Sequence, residues 1–228
     1  MAQEEQFVKG EADAWFERNR EAMKVRDSST SDPILRAMEN YDIAPERALE
    51  IGASNGYRMH ALHVWRGCKV AAIEPSAKAV EDGRKSFPEV DFSIGTACPL
   101  PYGNAEFDCV IVCGVFCWVD RSKILQAVSE ADRVLADGGH LIIGDFSPLH
   151  PQRVLYHHQP DAGIYTYKMN YADIFLASRI YTLLSAQVFD HAGFRPSTEV
   201  APHDRFSVTI LKKQFVAGFL TKARPDAE

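Results

Sequence analysis

The chain has 228 residues, of which 46% are hydrophobic, and its formal net charge is −6. This length allows a large buried core, and the acidic balance argues against nucleic acid or an anionic membrane as the main partner. Five cysteines without a Cys-x-x-Cys pair argue against a disulfide framework or a zinc site, so we predict no metal and a reducing, cytoplasmic setting.

The N-terminus has neither the basic start nor the apolar middle of a signal peptide, because residues 1–6 are polar and acidic. No apolar run approaches the ~20 residues of a membrane span. We therefore expect a soluble protein whose partner is a small molecule.

The first forty residues predict a helical lid. Residues 4–23 have a helical pattern of apolar positions, and a turn-rich cluster follows at 27–33. Ser31 or Asp32 is placed to cap a helix over 34–40 with Pro33 at its first position. We assign 1–40 to this N-terminal lid.

Strand and helix patterns then alternate five times with short links, which predicts a doubly wound, Rossmann-like α/β sheet that is mostly parallel with helices on both faces. This cofactor-binding core covers 41–144. The predicted strands are 48–51, 69–73, 90–94, 107–112 and 140–143, and the predicted helices are 58–66, 77–86 and 122–135.

The alternation stops after residue 144. Residues 145–173 form a long stretch rich in proline, histidine and tyrosine, which predicts an acceptor-binding lid because long connections in compact domains are usually functional. Helical character over 174–192 and two strands at 195–200 and 206–212 predict a C-terminal antiparallel hairpin. We expect 174–228 to complete the same domain.

A glycine turn between the first strand and the next helix predicts a ligand cradle. Gly52 and Gly56 allow a sharp turn, and the amides of the following helix can face a bound ligand. In open α/β sheets ligands lie at the carboxyl ends of the strands, where Glu74 is placed to accept hydrogen bonds from ribose hydroxyls. The alternative is that Glu74 only favours the start of a helix.

Two phosphate-binding patterns are absent. A dinucleotide fingerprint, Gly-x-Gly-x-x-Gly, is broken by Ser54 and Tyr57, and no Gly-Lys-Ser or Gly-Lys-Thr occurs. The remaining Glu50-x-Gly-x-x-x-Gly motif, the acid after the second strand, the Asp-Gly-Gly at 137–139 and the terminal hairpin together resemble the class I S-adenosylmethionine-dependent methyltransferases. That family often has glycine where this chain has Ser54.

The resemblance implies S-adenosyl-L-methionine as cofactor, S-adenosyl-L-homocysteine as product, and a set of contacts on the core. The following residues would contact the methionine part, ribose or adenine of the cofactor, or line the far wall of its site: Glu50, Gly52, Ala53, Ser54, Gly56, Glu74, Pro75, Thr96, Ala97, Cys113 and Gly114.

The N-terminal segment 4–19 also resembles bacterial methylases associated with pseudaminic acid and related surface-sugar pathways. This resemblance implies that Trp15, Arg18 and Asn19 close over the cofactor, with Arg18 near its carboxylate. The alternative is a helix that packs on the core through Trp15 and leaves Arg18 in solvent.

A methyltransferase must position a nucleophile, exclude water and sometimes remove a proton. His157 and His158 are candidate bases because histidine titrates near neutrality, and Asp145 could act directly or orient one of them. Candidates for the acceptor pocket are Tyr156, Tyr165, Tyr167 and Lys168. Each could instead be a surface residue or part of the lid's own core.

We therefore predict methyl transfer to an oxygen or nitrogen of a small polar metabolite, such as a sugar or nucleotide-sugar. The alternatives are a non-catalytic cofactor-binding or scaffold protein of the same fold, and a nicotinamide-dependent oxidoreductase. A homodimer is left open by the sequence.

Overall fold

The computed structural model describes residues 3–24, 31–191, 199–201 and 204–215. A seven-stranded sheet has the order β3-β2-β1-β4-β5-β9-β8, in which only β9 runs antiparallel to both of its neighbours. The strands of this sheet are β1 (Arg47–Ile51), β2 (Lys69–Glu74), β3 (Val90–Ile94), β4 (Phe107–Cys113), β5 (Leu135–Phe146), β8 (Tyr181–Asp190) and β9 (Arg205–Lys213). The predicted Rossmann-like fold with a C-terminal antiparallel hairpin is confirmed.

Helices cover both faces of the sheet, as predicted. The helices are α1 (Gln3–Gln6), α2 (Ala12–Met23), α3 (Pro33–Asn40), α4 (Tyr57–Arg66), α5 (Ala77–Ser86), α6 (Ile124–Val134) and α7 (Ala172–Ala177), with a π-helical turn at Phe7–Glu11 between the first two. One apolar core lies beneath α3, α4 and α5, and a second lies beneath α6 and α7. Strand β4 is buried on both faces, which explains its nearly continuous apolar sequence.

The prediction of a helix over 174–192 is wrong for most of that range. Helix α7 ends at Ala177, Arg179 adopts a left-handed conformation (φ 65°), and β8 follows as the edge strand. Strand β8 pairs with β9 along nearly its whole length, so the free edge of β9 decides the conformation of a segment whose apolar pattern also fits a helix. The edge strand predicted at 195–200 lies largely outside the described residues.

The fifth strand is also longer than predicted. It begins at Leu135, directly after α6, and it includes the Asp-Gly-Gly segment that the sequence places between the helix and the fifth strand. Gly138 has φ 80°, and the pairing with β4 shifts register between Phe107 and Cys109, so the glycine accommodates an irregular start to the strand.

A small antiparallel hairpin lies within the segment predicted as an acceptor lid. It pairs β6 (Gln152–Leu155) with β7 (Tyr165–Lys168), and a 3-10 turn at Pro160–Ala162 lies between them. The amide of Tyr167 donates to the carbonyl of Cys117 at 2.9 Å, which anchors the hairpin beside the carboxyl end of β4. No helix in the described ranges has the length and apolar character needed to cross a lipid bilayer.

Candidate functional site

A cavity of about 730 Å³ lies at the carboxyl ends of the central strands, between the sheet, the N-terminal helices and the β6–β7 hairpin. Most of the sequence-predicted cofactor residues line it: Trp15, Asn19, Glu50, Gly52, Ala53, Ser54, Glu74, Pro75, Thr96, Ala97, Cys113 and Gly114. Gly56 and Arg18 are not among the lining residues.

The glycine turn has the left-handed geometry that its sequence suggests. Gly52, Ser54 and Gly56 have φ values of 73°, 52° and 75°. A Cβ on Gly52 would also clash with the side chain of Val115, so a larger residue would have to displace that side chain in addition to straining the backbone. Ser54 adopts a left-handed conformation that favours glycine. This agrees with the frequent glycine at this position in the class I methyltransferases that the sequence resembles.

Glu74 ties the end of β2 to this turn. Its two carboxylate oxygens accept hydrogen bonds from the amides of Ser54 and Ser76 at 2.8 and 2.9 Å. Burial raises the pKa of Glu74 to about 7, although both amide hydrogen bonds favour the ionised form. Each oxygen keeps a second lone pair, so the carboxylate can still accept from ligand hydroxyls.

A buried ionic network that the sequence did not predict lies beneath the turn. Arg58, at the start of α4, pairs with Glu50 and with Asp32, whose Oδ2 lies 3.0 Å from the guanidinium. The Oδ1 atom of Asp32 caps α3 by accepting from the amides of Ile34 and Leu35. The network therefore joins β1, α3 and α4 beside the cavity.

Two acceptor atoms at the cavity have no hydrogen-bond partner within the part of the chain that the structure describes. Glu50 Oε2 and Ser54 Oγ are buried and unpaired, although both residues line the cavity. Burial raises the pKa of Glu50 to about 7, against the opposing effect of Arg58. Because unpaired buried acceptors are costly, the site fits a ligand that brings hydrogen-bond donors.

The N-terminal helices and the hairpin close the cavity through one polar cluster, which we call the latch: Glu11, Arg18, Tyr156 and Gln159. Glu11 is only 2% exposed and accepts from Tyr156 Oη at 2.6 Å, from Arg18 and from Gln159. Arg18 thus lies in the latch, whereas Trp15 and Asn19 face the cavity. A sequence pattern could not reveal the latch, because its members are up to 148 residues apart.

The predicted acceptor residues separate into two groups. Tyr156, His157, His158 and Lys168 line the cavity. Tyr165 and Tyr167 do not; they lie under the guanidinium groups of Arg153 and Arg121, each 4.4 Å from the ring centroid.

Asp145 is buried and does not line the cavity. It accepts from the amides of Phe146 and Cys117 at 2.7 and 3.3 Å, and burial raises its pKa to about 7. This carboxyl therefore holds the loop after β4 against the end of β5.

Several cavity residues were missed because only the fold brings them together. Beyond Arg58, they include Glu4, Phe7, Trp118, Phe146, Thr166, His191 and Phe206. Glu4 accepts from Thr96 Oγ1 at 3.0 Å and pairs with Lys123, which closes the end of the cavity next to β3. Among the described residues, no group of three His, Cys, Asp or Glu side chains is arranged to hold a metal ion.

Comparison with known proteins agrees with this geometry. Residues 49–143, which run from β1 into β5, match the family model described as methyltransferase domain. Residues 49–143 are therefore similar to a methyltransferase domain. The resemblance to class I methyltransferases that the sequence predicts is thereby confirmed for the core.

Curated relatives match less than half of the chain. An uncharacterized methyltransferase of Mycobacterium tuberculosis is 33% identical over 98 residues, which cover 43% of this chain and 39% of the relative. A demethylmenaquinone methyltransferase of Renibacterium salmoninarum is 30% identical over 106 residues, 46% of this chain and 43% of the relative. The chain therefore spans less than half the length of these relatives.

Solved structures extend the likeness of fold to nearly the whole chain. The 1,6-didemethyltoxoflavin-N1-methyltransferase of Burkholderia thailandensis, solved with 1,6-didemethyltoxoflavin and S-adenosylhomocysteine, has a TM-score of 0.68. The match covers 94% of this chain and 91% of that chain at 15% identity, so it shows a shared fold.

Proposed function

We propose that this protein is an S-adenosylmethionine-dependent methyltransferase that acts on an oxygen or nitrogen of a small polar metabolite. The observation that carries the proposal is the convergence of Glu50 and Glu74 on one enclosed cavity at the glycine turn of a methyltransferase domain. Relatives and structural neighbours that are named as methyltransferases support the enzyme class and the cofactor.

The residues present fit this cofactor. Glu50 Oε2 is a buried acceptor that no described residue pairs with, and it suits the ammonium of the methionine part. Glu74 keeps lone pairs for two ribose hydroxyls. Above Gly114 (φ 65°), an added Cβ would meet no atom within 4 Å, so the wall after β4 leaves space for a ligand. When bound, S-adenosylmethionine supplies an electrophilic methyl group on a sulfonium sulfur.

The chain's own residues then position the acceptor and exclude water. The latch keeps the lid over the cavity, and Tyr156 and Lys168 face the space where an acceptor would lie. His157 and His158 are the proposed proton acceptors, and their ring centroids lie 3.9 Å apart, with the rings tilted by 42°, beside Tyr156. Asp145 supports the neighbouring loop through the amide of Cys117. The sugar or nucleotide-sugar acceptor suggested by the N-terminal resemblance belongs to this proposal.

Isothermal titration calorimetry with S-adenosylhomocysteine tests the cofactor assignment, and we expect saturable one-to-one binding. Absence of binding to this compound and to S-adenosylmethionine would refute the proposal. A parallel fluorescence titration with NADH tests the oxidoreductase alternative. Two results together would favour the scaffold alternative. The protein would bind the cofactor without turnover on any acceptor, and joint replacement of His157, His158 and Asp145 would leave its function intact.

A further inference from the structure

Aromatic rings dominate the side of the cavity away from the cofactor residues. Phe146 packs edge-on against Phe206, with ring centroids 6.1 Å apart, and against His191 at 4.6 Å. Trp118 meets Tyr156 edge-on at 4.5 Å. Together with Thr166 and Lys168, these residues form what we call the acceptor wall. Flat aromatic surfaces of this kind favour a flat, apolar ligand body.

Lys168 is the cationic centre of the acceptor wall. Its Nζ lies 4.0 Å from the centroid of the Phe146 ring, and the side chain is half-buried. In the described part of the chain no carboxylate lies within 4.0 Å of this ammonium. Asp145, Cys117 and Asp204 act on it only at longer range, and burial lowers the pKa of Lys168. Among the described residues, the ammonium therefore has no close counter-ion.

The described residues of the acceptor wall also lack the carboxylate and carboxamide side chains that can pair with two neighbouring sugar hydroxyls. Its described residues include no Asp, Asn, Glu or Gln, and the three acids that line the cavity lie elsewhere. Glu50 and Glu74 lie at the glycine turn, and Glu4 is paired with Thr96 and Lys123. A sugar bound here would have Thr166, Tyr156, His191 and Lys168 as its side-chain partners in the acceptor wall, and each buried hydroxyl left unpaired would carry a cost.

We propose that the methyl acceptor is a planar aromatic compound with an acidic group, ionised at neutral pH, that pairs with Lys168. This inference rests on the proposed function and narrows its acceptor from polar metabolites in general to aromatic acids. The ring stacks within the acceptor wall, and the anion supplies the close counter-charge that Lys168 lacks. The acidic group would anchor the ring and stay unchanged. A separate oxygen or nitrogen on the ring would form the new bond to the methyl carbon as the bond from that carbon to the sulfonium sulfur breaks, which would release S-adenosylhomocysteine, and the proton displaced from that oxygen or nitrogen would pass to His157 or His158.

Three probes of matched size separate charge from planarity: 2-naphthoate, 2-naphthamide and decahydro-2-naphthoate. Each is titrated calorimetrically into the full-length protein saturated with S-adenosylhomocysteine. We expect 2-naphthoate to bind at least tenfold more tightly than either other probe. Lys168→Met should abolish the preference over 2-naphthamide and Lys168→Arg should retain it, because arginine keeps the charge.

Controls distinguish failure of this inference from failure of the proposed function. Lys168→Met should bind S-adenosylhomocysteine within twofold of the wild type, and Lys85→Met, on the exposed face of α5, should leave every affinity unchanged. No binding of S-adenosylhomocysteine to the wild type would refute the proposed function.

If S-adenosylhomocysteine binds to the wild type, each of three results would overturn the aromatic-acid inference and leave the proposed function standing. They are equal binding of the amide, equal binding of the saturated acid, or a preference that survives in Lys168→Met.

Discussion

Replacing Arg58 by methionine should destabilise the protein more than any surface ion-pair change. The side chains of Arg58, Asp32 and Glu50 are 6%, 0% and 1% exposed, so the substitution leaves two buried carboxyls without their counter-ion. Breaking such a pair costs about 3–5 kcal/mol. For a chain of this size, that loss corresponds to a Tm lowered by about 6–20 °C.

The loss should also depend on pH. Burial raises the pKa of Glu50 to about 7, and Arg58 opposes that rise, so removing Arg58 raises this pKa further. A carboxyl whose pKa is higher in the folded state takes up a proton as pH falls, which relieves the penalty of the buried charge. We therefore expect the difference from wild type to be smaller at pH 6 than at pH 8.

Urea unfolding at both pH values measures these differences. Arg66→Met is the matched control on the same helix, because Arg66 pairs with Asp42, whose side chain is 89% exposed. The Arg66→Met substitution should lower the free energy of unfolding by less than about 1 kcal/mol. A loss below about 1 kcal/mol for Arg58→Met, or a larger loss at pH 6 than at pH 8, would show that the network does not hold the turn together.

Three further predictions concern cofactor binding. Glu74→Ala should weaken S-adenosylhomocysteine binding at least tenfold by calorimetry. Unchanged affinity would show that residues other than Glu74 bind the ribose. In the wild type the same affinity should fall, by up to about tenfold per pH unit, as pH drops below about 7. The reason is that hydroxyl donors favour the ionised form of Glu74, whose pKa in the free protein is about 7; a constant affinity from pH 5.5 to 8 would contradict this. Glu11→Ala should speed release of S-adenosylhomocysteine at least threefold in stopped-flow measurements, because it removes the acceptor that Tyr156, Arg18 and Gln159 share. The control Glu5→Ala, at an exposed position, should leave the release rate unchanged.

The cofactor end of the cavity could be predicted because its signals are local in sequence. Gly52 and Gly56 mark a backbone conformation that few other residues adopt, and Glu74 follows a strand whose end the fold class places beside them. The prediction of the sheet succeeded for the same reason, since strands buried on both faces have continuous apolar sequences.

The errors arise where a distant partner decides the outcome. The β8 segment contains apolar residues that fit either period, and its strand conformation depends on pairing with β9, whose residues follow later in the chain. Arg58 looks like an ordinary helix residue until Asp32 and Glu50 are placed around it. Glu11, in a segment of charged residues, shows no sign in the sequence of being almost fully buried.

This difference between local and long-range determinants divides the cavity into two parts that should respond separately to mutation. The turn, Glu50 and Glu74 come from neighbouring parallel strands of the methyltransferase domain, the segment that relatives share. The acceptor wall comes largely from the end of β5, the β6–β7 hairpin and β9, all outside residues 49–143. Substitutions at Lys168 should therefore change which acceptor binds and leave the cofactor affinity intact, whereas substitutions at Glu74 should act on the cofactor whichever acceptor is offered.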